Sequence, residues 1–314
     1  DLRTGKRTPM QNGEVTPARW LDDGSHLVWY NPTDTTWNSF DPAAGKHYLL
    51  TTNATGTCYD EINDRPMHPR SYGYAGTLKG GREFLVYERY DLRQLDASGQ
   101  APPRRLTRGR ENRIRHFLRR LDPETRTFDP TEPLLVSTFN EDTYEGGFGW
   151  LTAQSGLVEL VKSGAKTYGD FSKARLSESY LHSQSDFREF PDLWIGKGAK
   201  KKGQKVTNAN PQQASFAWGT NEIYEWVDHQ GRTLRGMLVK PDGFDPSKKY
   251  PLLVNFYERS SQGVNRHRTP TPGRSSINYS HYVSKGYVIF NPDVIYRRGY
   301  PGESAYDCVM SGVM

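Results

Sequence analysis

Three short segments of this chain end alike. Trp37-Asn-Ser-Phe-Asp-Pro-Ala-Ala-Gly45 runs on to Leu50-Thr51, Leu95-Asp-Ala-Ser-Gly99 to Leu106-Thr107, and Asp192-Leu-Trp-Ile-Gly196 to Val206-Thr207. Each reads as a strand, a turn containing glycine, and a closing Leu/Val-Thr. The closing threonines lie 56 and then 100 residues apart, which fits one unit and then two. A period of about 50 residues with several short strands per unit is the mark of a β-propeller, whose blades bury their faces against one another.

The segments between the repeats agree. Ser25–Tyr30, Glu83–Tyr87, Leu134–Phe139 and Glu178–Ser183 read as central blade strands, and Gly147–Thr152 with Leu157–Val161 completes the third unit. About four blades result. The opening residues, Asp1-Leu-Arg-Thr-Gly-Lys-Arg-Thr8, resemble the outer strand of a preceding blade, so the propeller is expected to be partial, with further blades ahead of Asp1. Pro and amide residues at Asn208–Gln213 interrupt the pattern. They place one domain at 1–212 and a second at 213–314.

The second domain changes character. Glu222–Trp226 and Leu234–Val239 flank Asp228-His-Gln-Gly231 and predict an antiparallel hairpin. Leu252–Phe256, behind Pro251, reads as a fully buried strand, and Tyr287–Phe290 as another. A helix from near Ser276 through Val283 would join them, which is the α/β pattern. Ligands of such sheets sit beyond the carboxyl ends of the strands. Tyr257 falls there, either as a phenol donor to an oxyanion or as an aromatic packed at a strand end. These segments read as the opening strands of an α/β-hydrolase, whose nucleophile sits on a Gly-x-Ser-x-Gly elbow. No serine of the chain has that context. Gly302-Glu-Ser304-Ala-Tyr306 is a near miss; Ser304, three residues before Asp307, reads as a helix cap. Ser275 and Ser276 fail the pattern too.

Composition limits the other classes. Hydrophobic residues make up only 34% of the chain, and no apolar run approaches the roughly 20 residues that span a bilayer. The first seven residues lack the apolar core of a signal peptide, and the compartment stays open. Cys58 and Cys308 are the only cysteines, which excludes a disulfide framework and a zinc ribbon and leaves a single bridge open. No His-Glu-x-x-His or ligand cluster implies a metal. His68, His182 and His267 read as structural or solvated. The net charge is +6, in clusters at Arg104-Arg105, Arg119-Arg120, Lys200–Lys202 and Arg297-Arg298. They read as scattered loop charge and not as a nucleic-acid footprint.

Propeller units followed by Trp218-Gly-Thr220, Phe244-Asp-Pro-Ser-Lys-Lys-Tyr-Pro251, a strand leading to Tyr257, and Gly299-Tyr-Pro-Gly-Glu303 resemble the prolyl oligopeptidase family of serine peptidases. The dipeptidyl-peptidase and acylaminoacyl-peptidase branches are the most similar. The resemblance implies hydrolysis of short peptides by Ser-His-Asp acyl transfer, with no cofactor and with the propeller excluding folded proteins. It implies that Tyr257 donates its hydroxyl to the oxyanion. It also places the serine, aspartate and histidine beyond Met314, so that none of the eight histidines here is the base and this stretch alone is inactive. Propeller acids hold the substrate amine in the dipeptidyl peptidases; Asp60-Glu61 and Glu141-Asp142 are the candidates, with solvated loop acids the alternative. One departure is the loop Tyr257-Glu-Arg-Ser-Ser-Gln-Gly263, where the family often has Tyr-Gly-Gly-Pro. The rival expectation is a non-catalytic propeller that binds a peptide or partner and carries a degenerate hydrolase appendage.

Overall fold

The computed structural model describes residues 4–5, 7, 16–52, 54–152, 156–198, 203–271 and 277–314. The chain is mostly β-sheet. Sheet one contains β1 (Arg19–Trp20), β2 (Leu27–Asn31), β3 (Thr36–Asp41) and β4 (Lys46–Leu49), in that order. Sheet two contains β5 (Tyr74–Leu78), β6 (Glu83–Tyr87), β7 (Leu92–Asp96) and β8 (Arg104–Arg105). After β9 (Ile114–Leu118), β10 (Thr127–Phe128) adds to the outside of β5 as a parallel strand. Sheet three has the order β13-β12-β11-β9, where β11 is Leu134–Asn140, β12 Gly146–Thr152 and β13 Gly156–Gly164. Sheet four runs β14 (Thr167–Lys173), β15 (Ser179–Ser185), β16 (Asp192–Lys197) and β17 (Gln204–Lys205).

The four segments expected as central strands are β2, β6, β11 and β15, each with a neighbour on both sides. The expectations at residues 1–8, at Lys200–Lys202 and for a helix start at Ser276 lie largely or wholly outside the described residues.

The closing threonines of the repeat have a shared job. The amides of Trp37, Leu92 and Leu193 donate to the hydroxyls of Thr51, Thr107 and Thr207 at 2.8, 3.1 and 2.8 Å. In return the amides of Leu50, Leu106 and Val206 donate to the carbonyls of Trp37, Leu92 and Leu193. In two units an aspartate completes the clasp. Thr107 and the Gly109 amide donate to Asp91 Oδ1 at 2.7 and 2.6 Å; Thr207 and the Ala209 amide do the same to Asp192 at 2.7 and 2.7 Å. A basic side chain two residues before each threonine pairs with the other carboxylate oxygen, Arg105 at 3.1 Å and Lys205 at 2.6 Å. Burial opposes the charge of Asp192, but Lys205, the Ala209 amide and Thr207 outweigh it and hold the carboxyl below its usual range. The turn glycines are Gly45, Gly99 and Gly198, at φ 63°, 63° and 66°. The third turn thus falls at Gly198 and not at Gly196, the glycine of the sequence repeat. That residue lies inside β16, where a Cβ would come within 2.1 Å of the Tyr180 ring.

The residues group into two compact units, Asp1–Thr138 with Gly149–Glu159, and Phe139–Phe148 with Leu160–Met314. In the first, β6 sends alternate side chains to opposite faces, as pleating requires. Phe84 and Val86 join Val28, Tyr30, Trp37 and Leu95, while Leu85 joins Leu92, Leu118, Val136 and Leu151. Phe84, Leu85 and Val86 are fully buried, each contributing about 1.5–3 kcal/mol.

In the second unit, Phe148, Phe171, Tyr180 and Trp194 surround His182, with Phe148 at 4.9 Å. Burial pushes the His182 pKa down to about 4. The unfolded chain therefore takes up this proton first as pH falls, so the stability His182 supports is complete above about pH 6.5 and drains away towards pH 4.

Sheet five closes the described chain. β18 (Thr220–Val227) and β19 (Thr233–Lys240) form the expected hairpin, and β20 (Leu252–Val254) and β21 (Val288–Pro292) are parallel, in the order β18-β19-β21-β20. Helix α1 (Tyr279–Ser284) packs Val283 with Met237, Val239 and Ile289. Helix α2 (Pro301–Val313) packs Cys308 and Val309 on the opposite face with Trp226, Leu234 and Phe290. Gly312 makes that approach possible, since a Cβ there would come within 2.7 Å of Phe290 and 2.8 Å of Trp226. Both cysteines are free and buried, so the bridge left open does not form. The strand expected to be fully buried, Leu252–Phe256, is shorter and more exposed. Leu252 is 43% exposed because β20 has one neighbour among the described residues.

Asp91→Ala strands the Thr107 hydroxyl, the Gly109 amide and Arg105, and should cost about 3 kcal/mol in denaturant titration. Thr107→Val should cost about 1 kcal/mol; an Asp91→Ala loss below about 0.5 kcal/mol would leave the clasp without energetic weight. His182→Phe should flatten the decline of melting temperature between pH 6.5 and 4, and an unchanged slope would assign that decline elsewhere.

Candidate active-site loop

The carboxyl ends of the parallel strands β20 and β21 release two loops, and β21 holds both in place. The Asn255 amide donates to the Phe290 carbonyl at 2.9 Å, and the chain then leaves the sheet. Asp293, just beyond β21 and 7% exposed, accepts the amides of Ser260 and Ser261 on one oxygen at 2.5 and 2.9 Å. The Ser260 hydroxyl donates to Asn291 Oδ1, and Asn291 Nδ2 donates to the Tyr279 hydroxyl, both at 2.5 Å. Tyr296 on the second loop donates its hydroxyl to the Tyr257 carbonyl at 2.5 Å. The backbone around Tyr257 is thus tied at both ends. Its side chain is 79% exposed.

Tyr257 stands three residues past the end of β20 and not at the strand terminus. Its ring is largely exposed on a loop anchored by its backbone contacts. Sequence reading did not find Asp293, Asn291 or Tyr296. The signal was Asn291-Pro-Asp293, a carboxamide and a carboxylate directly at the end of a buried strand.

Ser304 is not the helix cap expected of it. Pro301 opens α2, where its missing amide hydrogen costs nothing, and Ser304 lies inside the first turn. Its hydroxyl donates to the Tyr300 carbonyl at 2.7 Å and accepts the Arg297 amide at 3.0 Å. It is buried. His267 is structural: it stacks on Trp218 at 5.2 Å, lies 3.0 Å from Gln213 Oε1, and burial lowers its pKa. His68 is exposed. Of the acidic pairs, Glu61 is bound to Arg110 at 3.0 Å and Asp60 accepts the Ile62 amide. Among the described residues no His, Cys, Asp and Glu gather into a metal site, and no helix is long and apolar enough to cross a membrane.

The charge is less scattered than it first reads. Residues 88–120 hold ten arginines and four carboxylates, a balance of +6, which equals that of the whole chain. All of them belong to the first compact unit.

The fold is similar to solved peptidase structures. A Bacteroides ovatus protein assigned as a dipeptidyl aminopeptidase IV superposes with a TM-score of 0.61 at 14% identity, over 96% of this chain and 45% of that one. Porphyromonas gingivalis dipeptidyl peptidase 4 superposes with a TM-score of 0.61 at 17% identity, over 91% of this chain and 39% of that one. This chain spans less than half the length of either. No family model matches it. The likeness is one of fold.

Asp293→Ala removes the acceptor of two loop amides. Hydrogen exchange at Ser260 and Ser261 should then quicken by at least about tenfold, with the β19–β21 amides unchanged. Equal exchange in variant and parent would show that the carboxylate does not hold the loop.

Proposed function

We propose that the protein is a serine peptidase of the prolyl oligopeptidase type, acting on short peptides. In this reading the four sheets are propeller blades in 1–212, and 213–314 is the opening part of an α/β-hydrolase domain. The observation that carries it is the loop after β20. An antiparallel hairpin leads into a parallel pair, and the first parallel strand ends in a tethered loop that offers Tyr257 to solvent.

The chemistry is acyl transfer. A serine hydroxyl attacks the peptide carbonyl, and a histidine takes its proton and passes it to the departing amine. Water then releases the acyl group by the same path. Tyr257 hydrogen-bonds the oxygen that gains negative charge in each tetrahedral intermediate, and the Asp293 and Tyr296 contacts keep its backbone from drifting. The reading takes serine, histidine and aspartate from sequence outside these 314 residues, because no Gly-x-Ser-x-Gly occurs within them. The stretch described here is then inactive by itself.

In the natural protein, Tyr257→Phe should lower kcat on dipeptidyl arylamides by about 10²-fold with little change in KM. Unchanged kcat would remove Tyr257 from the oxyanion site. No cleavage of any short peptide by the folded parent would remove the peptidase reading itself.

A further inference from the structure

Arg268 follows a tightly held segment of the second compact unit. Asn221 Nδ2 donates to the Val264 carbonyl at 2.9 Å, and the Thr167 hydroxyl to the Asn265 carbonyl at 3.2 Å. Asn265 Nδ2 donates to the Tyr144 carbonyl at 2.9 Å, and His267 is fixed by Trp218 and Gln213. The Arg268 guanidinium then lies 4.6 Å from the ring centroid of Tyr279, which is 3% exposed. The Tyr279 hydroxyl belongs to the Asn291–Ser260 chain that ties down the loop after Tyr257. Arg268 thus stands at the far end of the same anchored stretch that begins at Tyr257.

This side chain is half-buried and held against a ring, yet its donors are unused. Its Nε is buried with no hydrogen-bond partner, and no carboxylate or carbonyl among the described residues binds its two other nitrogens. Asp293, which holds the same loop, accepts the amides of Ser260 and Ser261 and does not pair with Arg268. The Tyr279 ring attracts the cation by its face and leaves the N–H edge unsatisfied. Taking a charge out of water in this way costs stability unless a partner meets it. Ser280, next to Tyr279, also buries a hydroxyl without a partner. Gly263 leaves room at the guanidinium edge: a Cβ there would come within 3.2 Å of Nη2. Such an edge offers two parallel donors, the shape that a carboxylate fills.

We propose that Arg268 binds the terminal carboxylate of a short peptide. The step from anion to peptide rests on the peptidase reading above; the anion preference rests on the unpaired guanidinium alone. A phosphate group carries nearly two charges. Among the described residues Arg268 is the one cation on Tyr279, which matches the single charge of a carboxylate. Substrates that end in a free acid are then preferred over their amides.

The test is a ligand-observed NMR titration of the natural protein with N-acetylalanine and N-acetylalaninamide. The two differ in the carboxylate, and neither holds a bond between two residues to be cleaved. The acid should bind about tenfold more tightly, and the margin should shrink as salt rises. Arg268→Gln should abolish the margin. Gly263→Asp sets a carboxylate beside Nη2, should abolish the margin too, and decides the question if Arg268→Gln fails to fold. Arg266→Gln, at an exposed arginine two residues away, should keep it. Equal affinity for acid and amide overturns the proposal. So does a margin that survives Arg268→Gln or Gly263→Asp, or one that is lost in Arg266→Gln. Tighter binding of inorganic phosphate than of the acid also overturns it. Binding is read without turnover, so the two readings fail separately. An Arg268-dependent margin in a protein that cleaves no short peptide sinks the peptidase and keeps the carboxylate site; cleavage without the margin does the reverse.

Discussion

A buried carboxylate holding two ends of a sheet underlies much of this structure. Asp91 and Asp192 each accept a threonine hydroxyl and a backbone amide from the segment that follows the last strand, and each is balanced by a basic side chain. A four-stranded meander is marginal alone because its outer strand has one neighbour. The clasp ties that strand back to the third and saturates groups that would otherwise be buried without partners. In sheet one the position of the aspartate is Thr36, and the threonine-to-amide half of the clasp persists without it.

The same device recurs where chemistry is proposed. Asp293 receives two amides from the loop after β20, as Asp91 receives two from the loop after β8. In each case a carboxylate beside a strand end orders the loop that follows. One loop carries the exposed Tyr257, and the other carries Arg110, which pairs with Glu61. Loops fixed in this way lose little entropy on binding, which is how rigid scaffolds carry function on connecting segments.

Much of this was legible in the sequence. The Leu/Val-Thr ending marked the clasp because a threonine hydroxyl is needed at that point, and Glu83–Tyr87 read as a central strand, which it is. The hairpin at 220–240 and the parallel pair were readable from apolar runs and turn residues. The misreadings have physical causes. Leu252–Phe256 is as apolar as a central strand, but burial depends on a second neighbour, which a local run does not encode. Ser304 has the residue type of a cap, yet Pro301 had already started the helix. The arginines around Tyr90 are not legible in the sequence, because Arg89 lies about twenty residues from Arg110 and Arg113. Their convergence needs the turn after β6 and the Arg110–Asn112 turn to meet, a tertiary fact.

The central claim is that these residues belong to a serine hydrolase whose nucleophile lies outside them. Labelling of the natural protein with a fluorophosphonate, followed by mass-spectrometric mapping of the adduct, addresses it directly. The account predicts one modified serine, in a Gly-x-Ser-x-Gly context and at none of the serines of these 314 residues. A folded natural protein that takes no label, or one that is labelled at Ser304, would contradict it.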